Sequence, residues 1–91
     1  MNLNLKFIDA VSYIMNISKE YGFNSAREWA SKAYEVGEIS YEDLKQYEQI
    51  NNLRNMIVHG KAESTEISVE IYDFAVKMKK TIINSKLRKE I

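Results

Sequence analysis

Apolar residues recur at intervals of three and four through four stretches of this chain, a spacing that predicts four α-helices. In the first stretch Phe7, Ile8, Val11, Ile14, Met15 and Tyr21 mark a helix from about Leu3 to Tyr21, stopped by Gly22. A strand would need a period of two, which these residues lack. Ser25 or Asn24 can cap a second helix that reaches about Val36, before Gly37. Its inner stripe of Ala26, Trp29, Ala30 and Ala33 suits close packing, with the Trp29 ring as a core plug rather than a ligand group.

Ser40 followed by Tyr41, Glu42 and Asp43 reads as an N-cap with acids in the first turn. The third helix then runs to about His59, and Gly60 is its natural C′ residue. At roughly 100° per residue, Ile50, Leu53 and Ile57 form its core stripe. Asn52, Asn55 and His59 fall on the opposite side with Met56 at their edge, and Arg54 and Val58 lie on a flank between the two. A loop over 61–67 leads to Ser68, which caps a last helix expected from about Val69 to Lys89. That helix carries two adjoining apolar strips: Ile71, Phe74, Ala75, Met78 and Ile82, then Tyr72, Val76, Ile83 and Leu87. The second strip fits a subunit contact or a central helix packed on both sides.

The expected architecture is therefore all-α, an up-and-down bundle of four helices with or without a short extra one, as one domain over 1–91. No proline, repeat or linker-like stretch divides it. An apolar share of 45% is that of a globular protein. A chain of 91 residues has little core to spare, so burying more surface in a homodimer is an attractive source of stability. The absence of cysteine removes disulfides and thiolate chemistry, and a single His leaves a transition-metal site without its usual ligands. No metal or cofactor is expected. Asp9 and Asn16 interrupt the apolar N-terminal stretch, which matches neither a signal peptide nor a membrane span. A cytoplasmic location away from membranes is the default expectation.

The net charge is zero, which argues against strong nonspecific binding to nucleic acid. Its distribution is uneven. Residues 28–48 hold six acids and two bases, a balance of −4, and residues 75–91 hold six bases and one acid, a balance of +5. The basic end reads as a solvated helix terminus favoured by the dipole, or as a rim that attracts phosphate.

The chemistry concentrates in Leu53-Arg54-Asn55-Met56-Ile57-Val58-His59-Gly60, where the only His of the chain follows one of its three Arg within six residues. Structure alone can account for both: His59 can meet the negative end of its helix, and Arg54 can pair with an acid such as Glu28 or Glu48. A catalytic reading is more specific. Cleaving RNA without a metal takes a base for the ribose 2′-OH, an acid for the departing 5′-oxygen, and cationic donors on the phosphate. Imidazole titrates near neutrality and suits the first two roles, and a guanidinium fork suits the third. Asn55, four residues before His59, can orient the imidazole or hold the phosphate. A two-fold axis near His59 would supply the second His that one chain lacks.

The order Arg54, Asn55, three intervening residues, His59 and then Gly60 resembles the signature of the HEPN superfamily of small helical proteins. The motif covers six residues, and the helical architecture extends the similarity over most of the chain. The resemblance implies a bundle that dimerises through its motif helices and a metal-independent endoribonuclease with Arg54, Asn55 and His59 as its site. It also implies RNA as substrate, products ending in 2′,3′-cyclic phosphate and 5′-hydroxyl, and a toxin or antiviral role in which an antitoxin protein is a possible partner. A subgroup of such toxins carries a modifiable Tyr two residues after the His, and this chain has Lys61 there. The rival expectation is a non-catalytic binding or dimerisation module of the same architecture. A helix-turn-helix DNA binder around Gly37 ranks last, because the helix that would read DNA opens with Tyr41-Glu42-Asp43 and repels phosphate.

Overall fold

The computed structural model describes residues 3–60 and 66–89, which form four α-helices: α1 (Asn4–Glu20), α2 (Ala26–Glu35), α3 (Tyr41–Val58) and α4 (Val69–Ile83). No strand occurs among the described residues. The first five positions of the loop expected over 61–67, Lys61 among them, lie outside that range.

Local chemistry sets the helix starts. The hydroxyls of Ser25, Ser40 and Ser68 accept from the backbone N–H of Glu28, Asp43 and Ile71, each satisfying one donor that the first turn cannot. Three helix ends close on glycine, at Gly22, Gly37 and Gly60. Behind α1, Gly22 N–H donates to Lys19 and Phe23 N–H to Ser18, with Gly22 at φ +95°.

The helices do not alternate in direction as the up-and-down expectation required. Contacts from Asn4 to Ile67, Tyr13 to Lys79 and Tyr21 to Ile82 advance together along the chain, so α1 and α4 run in the same sense. The α3 helix opposes both: Ser12 meets Arg54 while Met15 shares a notch with Asn51, and Asp43 meets Lys77 while Ile50 and Leu53 share one with Ile71 and Phe74. The reason is length. At about 1.5 Å per residue, ten-residue α2 spans roughly 15 Å, too short for a full leg, and α1 and α3 each exceed roughly 25 Å. The α2 helix instead closes one end of the bundle, where fully buried Trp29 meets Tyr47 edge-on at 6.4 Å between ring centroids. Around them Phe7, Val11, Ile14, Ala33, Met78 and Ile82 complete the core.

The last helix ends at Ile83, six residues before the expected Lys89. The segment after it doubles back because Ser85 is captured: its Oγ accepts from Trp29 Nε1 at 3.1 Å and donates to Glu38 at 2.6 Å. Further on, Lys89 N–H reaches Tyr21 C=O at 2.8 Å and the Arg88 guanidinium lies 3.4 Å over the Tyr21 ring. Four of the six bases of the run, Lys77, Lys79, Arg88 and Lys89, are thereby engaged by the fold, and Lys80 stands in the last turn of α4, where the dipole favours it. Lys89 pairs with Glu28 at 2.7 Å and Lys77 with Asp43 at 3.0 Å. Lys89 also holds the Glu28 carboxyl below its usual range.

A Cβ at Gly22 would meet Lys89 O at 2.6 Å, on a backbone already at positive φ. Gly22→Ala is expected to destabilise the fold by about 2 kcal/mol, read as a lowered urea midpoint. An unchanged midpoint would show that the returning segment does not contribute to stability.

Candidate active site

Arg54 and Asn55 sit on the last turns of α3 and His59 is its C-cap, and the bundle treats the three differently. The buried face of α3 is Tyr47, Ile50 and Asn51, with Leu53 and Ile57 only half-buried. This face is rotated from the expected Ile50, Leu53 and Ile57 stripe, and the rotation turns the Arg54 flank toward α1. The half-buried guanidinium of Arg54 donates through Nη2 to Ser12 Oγ and through Nη1 to Asn55 Oδ1, both at 3.1 Å. Arg54 and Asn55 are thus brought together, and Asn55 Oδ1 serves the guanidinium rather than the imidazole.

No carboxylate pairs with Arg54 among the described residues. Of the two acids considered for it, Glu28 is held by Lys89 instead. A half-buried cation resting on neutral oxygens keeps most of its charge for a further partner. The setting is polar and incompletely satisfied: Arg54 Nε, Asn51 Oδ1 and the Tyr47 hydroxyl are buried without a partner among the described residues. Each such atom costs about 1–3 kcal/mol relative to a paired one. Burial pushes the Tyr47 hydroxyl well above the ordinary phenol range, with the nearby Arg54 charge opposing that shift.

His59 is the C-cap of α3, and its backbone N–H donates to Asn55 C=O at 3.0 Å. Gly60 follows at φ +74°, as its C′ position requires. The side chain is exposed and makes no hydrogen bond among the described residues. Five residues of helix separate it from Arg54 by roughly 140° in azimuth and about 7.5 Å along the axis. One chain therefore presents the imidazole outward and the guanidinium toward α1. Beside His59 the surface is apolar, with Met56 46% and Val58 47% exposed.

Compared with family models, characterised proteins and solved structures, the chain matches none.

Sequence reasoning missed two residues of the site. Ser12 anchors Arg54 from a helix remote in sequence, and only packing brings them together. Asn51 was legible in part, because its position one turn before Arg54 places it on the same flank. Among the described residues no cluster of three or more His, Asp or Glu could hold a metal, and no helix is long and apolar enough to cross a membrane.

Proposed function

We propose that this chain is a metal-independent endoribonuclease of the HEPN type, acting as a homodimer in which the α3 ends of two copies meet. The observation that supports it most is the half-buried Arg54 guanidinium, fixed by Ser12 and Asn55 and unneutralised by any described acid, five residues before an exposed imidazole. Arg54 holds the phosphate as charge builds on it, and Asn55 positions Arg54. A dimer axis beside His59, Met56 and Val58 buries apolar surface and brings two imidazoles to one phosphate.

One His59 then takes the proton of the ribose 2′-OH as that oxygen bonds to phosphorus, and the other gives a proton to the 5′-oxygen as its bond to phosphorus breaks. The products are a 2′,3′-cyclic phosphate and a 5′-hydroxyl. On this reading the protein is a cytoplasmic toxin or defence component, with an antitoxin protein as its natural restraint.

The divergence of Arg54 and His59 within one chain supports a second reading, a non-catalytic dimerisation module of the same architecture. Incubation of the purified protein with single-stranded RNA in EDTA separates the two. Cleavage that persists and leaves cyclic phosphate ends is expected. Intact RNA would favour the module, and cleavage abolished by the chelator would remove the metal-free mechanism.

A further inference from the structure

One turn along both helices from the Ser12–Arg54 bond lies a notch of about 220 Å³. Met15 and Lys19 of α1, Asn51 of α3, and Ser25, Ala26 and Arg27 at the start of α2 line it, with Asn24 at its rim. We propose that this notch is a second phosphate subsite, which holds the RNA backbone one step from the phosphate on Arg54. The proposal rests on the ribonuclease reading for its substrate class.

Three features converge there. Lys19 and Arg27 are exposed and make no ion pair among the described residues, so the notch carries two cations. No described acid lines it, and Glu28 beside it pairs with Lys89 through one carboxylate oxygen and accepts from Asn24 at the rim through the other. The N-terminus of α2 also opens into it. Ser25 Oγ takes the Glu28 N–H and Ser25 C=O takes that of Trp29, and the N–H groups of Ala26 and Arg27 have no partner among the described residues.

Asn51 supplies the observation that a bare helix terminus lacks. It is only 8% exposed, it lines the notch, and its side-chain Oδ1 has no partner among the described residues. An orphaned amide oxygen calls for a donor, and the NH2 of the same amide can give to an acceptor beside it, so the fitting ligand carries both. A ribonucleotide offers both, through its phosphate oxygens and its 2′-OH. Asn51 is three residues from Arg54 and Met15 three from Ser12, so the two phosphate positions differ by roughly 4.5 Å along each axis. A single strand laid across α1 and α3 passes from one to the other.

The test uses His59→Ala protein, which keeps the RNA whole, and a fluorescent hexauridylate. Adding Lys19→Ala and Arg27→Ala is expected to weaken binding about tenfold and to lower the salt dependence by about one unit of slope per cation removed. In amide NMR spectra, hexauridylate is expected to move the Asn51 side-chain signals and the Ala26 and Arg27 backbone signals. Unchanged affinity and slope in the double substitution, or still Asn51 signals, would overturn the subsite. If inorganic phosphate reproduces the shifts in full and RNA adds nothing, the notch takes free phosphate and the RNA assignment falls. Wild-type protein that binds RNA through Lys19 and Arg27 but never cleaves it ends the nuclease reading and keeps the subsite. Normal cleavage without that dependence does the reverse.

Discussion

His59→Ala is expected to fold and associate like the parent yet cleave single-stranded RNA about 10²–10⁴ times more slowly. The imidazole is exposed and hydrogen-bonds to no described residue, so little of the fold leans on it. Surface substitutions of that kind usually change stability by less than about 0.5 kcal/mol. A loss of activity with unchanged melting therefore points to chemistry. Arg54→Lys sharpens the result. Lysine keeps the positive charge but lacks the planar fork that joins Ser12, Asn55 and a phosphate at once. A drop of about 10²–10³ in kcat is expected for it, as for other lost transition-state donors. Should His59→Ala retain full activity, the imidazole has no part in the reaction and the proposed mechanism fails.

The largest effect on stability is expected at Trp29. Its ring is fully buried, it faces Tyr47 edge-on, and its Nε1–H holds Ser85. Trp29→Ala should cost about 3–5 kcal/mol, a large part of the roughly 5–14 kcal/mol that a chain of this length has in total. Trp29→Phe keeps most of the apolar contact and removes only the donor to Ser85. It should cost about 1–2 kcal/mol and release the segment after α4 for faster amide exchange. Urea unfolding measures both. A shift below about 1 kcal/mol for the alanine variant would mean that the α2 plug is not the keystone the packing implies.

The two expectations differ in how far the sequence could have led to them. Trp29 was readable as core from the small residues spaced around it at helical intervals. Its bond to Ser85 was not, because Ser85 lay inside an apolar pattern that predicted continued helix. Local propensity favoured extending α4, and capture of Ser85 by Trp29 and Glu38 overrode it. The same contrast holds at the site. Arg54, Asn55 and His59 were conspicuous as a string, yet a helical wheel drawn from apolar residues alone put Arg54 on an intermediate flank. Polar Asn51 and amphipathic Tyr47 belong to the buried face, and such residues carry no weight in an apolar pattern.

What the sequence determined by itself is whatever depends on neighbours within one or two turns. The number of helices, the serine caps at Ser25, Ser40 and Ser68, and the glycines beyond Glu20, Glu35 and Val58 all followed from short-range hydrogen bonding and backbone sterics. Tertiary structure alone decided the direction of each helix, the early end of α4 and the partner of Arg54. Those depend on which surfaces bury together, and contacts such as Ser12 with Arg54 or Trp29 with Ser85 join residues that no local rule relates.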